Sequence, residues 1–224
     1  MGKVGAGSVL GDMSGVVGPI VVTRWKKTGV VKIRPKKPKK GKKTPKQAKQ
    51  RDLFSVVTDF LSQIGERTLN DGYQLSRRAK MTPGNAALSY HIMNALTGES
   101  TDYKIDFSRV KLSRPLQSTE QAWNARFTVA EERKLSIDWE LNSFPQKSTR
   151  QDDIGIIVFF NITENTVVAR TSSKSGPLRS VLKFSYTAAE RHVGHDFCGW
   201  MFFISADGKR VSETEYLGTL KLMD

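Results

Sequence analysis

A chain of 224 residues with 36 Lys and Arg against 22 Asp and Glu carries a formal charge of +14, and 38% of it is hydrophobic. That length allows one large domain or two small ones. The single cysteine, Cys198, excludes an intrachain disulfide and fits a reducing compartment, and no run of about 18 apolar residues is present to span a membrane.

The positive charge is confined to one end. Residues 1–51 hold 15 Lys and Arg and one acid, Asp12, which leaves residues 52–224 with 21 of each sign and no net charge. A run of like charges repels itself and is costly to desolvate, so it needs water or an anionic partner.

Residues 1–23 are rich in Gly, with Val16, Val17, Val21 and Val22 among them, and read as extended chain. They lack a charged start followed by an unbroken apolar run, which argues against a signal peptide. Pro19–Trp25 and Val30–Arg34 read as a hairpin turned at Lys26–Gly29, marginal unless a partner surface orders it. Gly2-x-x-Gly5-x-Gly7 is not read as a phosphate loop, since no strand precedes it and no helix follows. Residues 35–43, P-K-K-P-K-K-G-K-K, offer no apolar side chain, and their Pro and Gly exclude helix and sheet interior. They read as an extended strap.

Thr44-Pro45-Lys46-Gln47 is a capping-box pattern that starts a helix: Thr at the N-cap, Pro at the first helical position, Gln three residues on. Leu53, Val57, Phe60, Leu61 and Ile64 then share one face, widened by Phe54 and Val56, and Gly65 is the predicted stop. A second helix is predicted over about 85–97, after the Pro83-Gly84-Asn85 turn. Leu88, Ile92, Ala95 and Leu96 share its face, and Gly98 closes it. The two helices are expected to pair as an αα-hairpin across the polar stretch 66–81.

From Tyr103 the period switches to two. Tyr103-Ile105-Phe107, Ala125-Phe127-Val129, Leu135-Ile137-Trp139, Ile154-Ile156-Val158, Val167-Ala169, Val181-Lys183, Trp200-Phe202-Ile204-Ala206 and Tyr216-Gly218-Leu220-Leu222 read as strands. Turn signals such as Asn142-Ser143, Ser175-Gly176-Pro177 and Asp207-Gly208 separate them, which predicts a β-sandwich. The fold class is therefore mainly β: a β-sandwich over 102–224, preceded by two α-helices in 44–101 and an extended, strongly basic arm over 1–43.

The segment Leu135–Leu222 resembles an immunoglobulin or fibronectin type III sandwich. Leu135-x-Ile137-x-Trp139 is similar to its B strand with the core Trp, Trp200-x-Phe202-x-Ile204-x-Ala206 to the F strand, and Val211–Leu220 to the G strand. Trp200 stands where that family prefers a Tyr.

The whole chain also resembles an uncharacterised family found in gut bacteria and their tailed phages. The residues that carry this are Gly15-Val16-Val17-Gly18-Pro19, the strand to Trp25, Arg34-Pro35-Lys36 and Thr44-Pro45-x-Gln47. Further along they are Asn85-Ala86-Ala87-x-Ser89-Tyr90 and Ser205-Ala206-Asp207-Gly208-Lys209 before Tyr216-Leu217-Gly218. The resemblance implies no catalytic residue, and several members sit among phage structural genes, which is context rather than mechanism.

Candidate chemical sites are few. His192-x-x-His195-x-x-Cys198 has three ligand types, but a structural zinc site wants four, so these read as loop and core residues. Cys198 as a nucleophile would need a positioned base, and strand geometry does not favour His195. Asp152 and Asp153, adjacent in the chain, read as a turn rather than a carboxylate pair. Asn161-Ile162-Thr163 reads as a chance match to a glycosylation acceptor.

With no catalytic constellation, no metal site and no cofactor motif, the expected function is non-enzymatic. The expected contact residues for nucleic acid or a partner are Arg24, Trp25, Lys26, Lys27, Lys32, Arg34, Lys36, Lys37, Lys39, Lys40, Lys42, Lys43, Lys46, Lys49 and Arg51. The expectation is a virion structural or assembly protein of a tailed phage, in the neck, portal ring or tail. Its partners would be other virion proteins and itself in a homo-oligomeric ring, with DNA as a further anionic partner, and no membrane or small-molecule substrate. Its place would be the virion, or the host cytoplasm during assembly. The alternative is a cellular nucleic-acid-binding protein, ribosome- or nucleoid-associated, using the same arm. A third class is a sugar- or protein-binding adhesion module using the sandwich loops.

Overall fold

The computed structural model describes residues 2–4, 14–25, 28–36, 44–75, 81–99, 102–130 and 133–223. The chain divides into two units, Met1–Lys43 and Thr44–Asp224.

In the first unit the expected hairpin is part of a larger antiparallel sheet. Its strands are β1 (Gly2–Val4), β2 (Gly15–Val17), β3 (Ile20–Trp25) and β4 (Thr28–Ile33), in the order β1-β4-β3-β2. Gly18, at φ 55°, and Pro19 make the two-residue turn between β2 and β3. That left-handed backbone is what a tight hairpin demands and Gly supplies at no steric cost. Pairing from Ile20 opposite Ile33 to Trp25 opposite Thr28 sets the register of the central pair. Val17, Ile20, Val22, Val31 and Ile33 therefore share one face.

The second unit opens with three helices where two were expected: α1 (Pro45–Ile64), α2 (Glu66–Gly72) and α3 (Pro83–Asn94). Gly65, at φ 88°, breaks the helical path between α1 and α2, and the polar 66–72 run continues as helix because Thr68, Leu69 and Gly72 find the core. The chain beyond α3 does not stay helical to 97. Leu96–Thr97 forms β5, which pairs with β6 (Lys104–Ile105), and Phe107–Arg109 is a 3-10 turn rather than the end of a strand.

The remaining strands are β7 (Trp123–Ala130), β8 (Lys134–Glu140), β9 (Ile154–Asn161), β10 (Thr166–Arg170), β11 (Lys183–Thr187), β12 (Asp196–Ile204) and β13 (Glu215–Lys221). They form two antiparallel sheets, β11-β8-β7 and β10-β9-β12-β13. This is a β-sandwich of three and four strands. The Leu135–Trp139 strand lies in the middle of the smaller sheet and the Trp200 strand inside the larger one.

The two central strands of the larger sheet read I-G-I-I-V-F-F-N and D-F-C-G-W-M-F-F-I, apolar at nearly every position, and both faces are buried. Phe127, Leu135, Ile137 and Trp139 of the smaller sheet meet Ile157, Phe159, Phe197, Met201 and Phe203 on one face. Val57, Phe60, Leu61 and Ile64 of α1, with Leu69, Tyr73, Ala87 and Val110, meet Ile156, Val158, Phe160, Cys198, Trp200, Phe202 and Ile204 on the other. The order of layers is helices, four-stranded sheet, three-stranded sheet.

Trp200, Phe202 and Ile204 of β12 face the helices, and Ala206, expected within this strand, lies past its end. The Trp200 indole N–H donates to the Phe107 carbonyl at 3.1 Å, so it serves the helical layer rather than a tyrosine-corner position. The face expected of the second helix packs on the helix-side core, with Ala95, the C-cap of α3, buried and Leu88, Ile92 and Leu96 partly buried, and α3 buries Ala86, Ala87 and His91 beside it. Among the described residues no helix is long and apolar enough to cross a membrane.

Candidate interaction surface of the basic segment

The described basic residues fall into two places. In the first unit Arg24 lies on β3 opposite Gly29, and Lys32 lies on β4 opposite Val21. These pairs alternate in parity, so Arg24 and Lys32 stand on opposite faces of the sheet and do not form one patch. Arg34 and Lys36, just beyond β4, are exposed. The backbone N–H of Arg34 donates to the Pro19 carbonyl at 2.8 Å, closing the open end of the hairpin. Trp25 ends β3, paired with Thr28. Ile33 is 80% exposed and Val17 46%, on the apolar face. Lys26, Lys27, Lys37, Lys39, Lys40, Lys42 and Lys43 lie outside the described residues, as do Gly5 and Gly7.

In the second unit Lys46, Lys49 and Arg51 occupy the first turns of α1. Thr44 accepts from the Gln47 N–H at 3.3 Å and the Gln47 side chain accepts from the Thr44 N–H at 3.1 Å, the reciprocal capping box. Every residue from Thr44 to Arg51 is exposed, and burial begins further along the helix, with Val57, Phe60, Leu61 and Ile64. Lys46, Lys49 and Leu53 continue the stripe of Val57, Phe60 and Ile64 toward the N-terminus, at offsets of three and four. The stripe changes from apolar to basic where the helix leaves the core. Arg51 stands off that stripe, so α1 presents Lys46 and Lys49 together and Arg51 apart.

Phe54 and Val56 do not widen the buried face as expected. Phe54 is 43% exposed and Val56 is partly buried. The far end of α1 is tied to the sheet instead. Arg170 of β10 donates to the carbonyls of Ile64 at 2.7 Å and Gln63 at 3.2 Å, placing a cation at the negative end of the helix dipole.

The other candidates from the sequence lie in or beside the core. Cys198 points into the helix-side core, where burial pushes its thiol well up from its ordinary value. His192 packs on the opposite cluster against Phe197 and lies 3.3 Å from Glu164, and the Asn161 amide sits 3.0 Å from Nδ1 of His195. His192 and Cys198 therefore serve opposite faces of one strand system. Among the described residues no three His, Cys, Asp or Glu side chains gather closely enough to hold a metal ion. Asn161 is fully buried, which takes its side chain away from the surface.

Sequence reasoning missed one polar centre. Asp153 is fully buried and pairs with buried Arg179 at 3.3 Å, while Thr119 Oγ1 donates to the same carboxylate at 2.9 Å. Arg179 also donates to the carbonyls of Glu120 at 2.7 Å and Gln121 at 3.1 Å. No short-range signal marks this pair, because its members are 26 residues apart.

Residues 12–218 match the profile of a family of unknown function (DUF6266). No curated protein matches the chain.

Proposed function

We propose that this chain, which belongs to the DUF6266 family, is a non-enzymatic structural protein of a tailed-phage particle, a component of its neck, portal ring or tail. The observation that carries the reading is the segregation of charge. All of the net +14 lies in residues 1–51, beside a body of 21 bases and 21 acids. The gut-bacterial and phage context comes from the resemblance of the chain's motifs and supports the same reading.

The proposed mechanism divides labour within the basic segment. Lysine is a flexible near-point charge, so the lysines attract an anionic surface without fixing direction. Direction comes from apolar groups such as Ile33, exposed on the sheet face, which fill a pocket on a neighbouring subunit as anchors do at interfaces. The partners in this reading are other virion proteins, further copies of the chain in a ring, and packaged DNA. The role of the second unit is to hold α1 rigid, so that Lys46 and Lys49 are presented at a fixed place.

Mass spectrometry of purified virions tests the assignment, and absence of the chain from them overturns it. Copurification with ribosomes or nucleoids in cells without particles would instead favour the cellular nucleic-acid-binding role. For the mechanism, Gln replaces the eight lysines 36, 37, 39, 40, 42, 43, 46 and 49. This variant is expected to assemble weakly and to lose most of the salt dependence of wild type. For duplex DNA, the logarithmic slope falls by about 0.9 for each phosphate that is no longer neutralised. Ile33→Ser is expected to weaken assembly with the slope unchanged. An eight-lysine variant indistinguishable from wild type between about 50 and 200 mM salt would reduce the basic segment to a solvated tail.

A further inference from the structure

At one end of the sandwich, β7 starts with a β-bulge. Trp123 pairs with Glu140 and Arg126 with Asp138, so two residues, Asn124 and Ala125, stand opposite Trp139 alone. Asn124 is left-handed, at φ 49°, and its amide donates to Glu140 at 2.8 Å, which holds the irregularity in place. Bulges of this kind re-aim a side chain, and a left-handed residue other than Gly carries a conformational cost. The side chain re-aimed is Trp123, which is 50% exposed although the other two tryptophans of the sandwich, Trp139 and Trp200, are buried.

Trp123 walls a cavity of about 440 Å³, whose other polar walls include Glu120, Gln121, Asn142, Gln146 and Glu213. That volume is within the usual range of small-ligand sites. The lining contains two carboxylates and three amides and no Lys, Arg or His. Glu120 is held in position, accepting from the Asn142 amide at 3.2 Å and the Gln146 N–H at 3.1 Å, and Glu213 is paired with Lys111 at 2.7 Å. A second cavity, of about 100 Å³, adjoins the same indole and Asn142 and adds Leu141 and Pro145 together with Arg150 and Arg179.

We infer that this cleft is a binding site for a neutral oligosaccharide, with Trp123 as its stacking platform. In the larger cavity the carboxylates, with no cation in the lining, repel phosphates, nucleotides and acidic peptides, while Arg150 and Arg179 line only the smaller one. A wholly apolar ligand would leave the amides and carboxylates buried without partners. A sugar ring meets both requirements. Its C–H face covers the indole, and its hydroxyls, each a donor and an acceptor, satisfy carboxylate and amide together. Phe144, 90% exposed on the same loop and held by the Asn142 side chain through its backbone N–H at 2.9 Å, gives a second aromatic surface.

The test uses the full chain labelled with 5-fluorotryptophan, whose Trp123 resonance is identified with Trp123→Phe. The probes are cellobiose, maltose, lactose, mannobiose and chitobiose. At least one is expected to shift the Trp123 signal saturably while the Trp139 and Trp200 signals stay in place, with affinity unchanged between about 50 and 500 mM salt. Trp123→Ala is expected to weaken binding about tenfold or more. Gln121→Ala, at an exposed residue, is expected to weaken it too and serves if the first variant does not fold. No shift with any probe at about 20 mM, well above the weakest millimolar affinities expected of such a site, overturns the inference. So do binding that falls with salt, an equal shift with inorganic phosphate, and binding that survives both substitutions.

Discussion

At the scale of single residues, the structure departs from what local pattern can show wherever a polar group is buried. His91 is fully buried in α3, between Tyr90 and Phe60. Its Nδ1 donates to the Ala87 carbonyl at 2.8 Å, and its Nε2 is buried without a partner. Burial holds its pKa below the ordinary 6.5, opposed by the backbone hydrogen bond. The folded chain therefore keeps His91 neutral at a pH where the unfolded chain already takes up a proton. Stability from this residue is complete above about pH 6.5 and is lost progressively as the pH falls toward the lower, folded pKa. The urea midpoint is expected to drop between pH 7.5 and pH 5, and His91→Gln is expected to flatten part of that drop. An unchanged pH dependence in the variant would show that His91 is not the group responsible. The Asp153–Arg179 pair belongs to the same scale. Its guanidinium also lies 3.8 Å over the Phe203 ring, so one side chain joins two loops to the core of the sandwich.

At the scale of elements, α1 unites two kinds of stabilisation that separate along its length. Its first turn rests on the capping box alone, since its side chains there are exposed. Thr44→Ala is expected to cost about 1 kcal/mol. Its buried half rests on Phe60, whose ring lies between 5.5 and 6.3 Å from those of Phe160, His91, Trp200 and Phe107. Phe60→Ala is expected to cost about 3–5 kcal/mol, as truncation of a buried aromatic does. Equilibrium urea unfolding measures both. A loss under about 1 kcal/mol at Phe60 would remove it from the core. The other end of α1 is bound to the sheet through Arg170, so displacing β10 disturbs the helix terminus directly.

At the scale of the whole second unit, the larger sheet is the shared wall of two cores. Trp200 reports on the helix side and Trp139 on the sheet side. Helices and sandwich are therefore expected to unfold together. Ellipticity at 222 nm and tryptophan fluorescence are expected to trace one coincident transition in urea. Two separated transitions would show that the helices fold apart from the sandwich.

The amino-acid sequence by itself determined what depends on neighbours along the chain. The start of α1 was legible because a capping box is complete within four residues. The β3–β4 pair was legible because alternating strands meet across a short turn. The order of helices before sandwich followed from the change of period near Tyr103. Segregation of charge needed only counting. Tertiary structure alone decided which way β12 faces, because a strand buried on both sides loses the alternation that would identify its inner face. It also turned 66–72 into a helix, buried the polar His91 beside Leu88, and aimed Trp123 outward through a bulge. In each case the deciding partner lies far away in the chain, so packing overrode local preference.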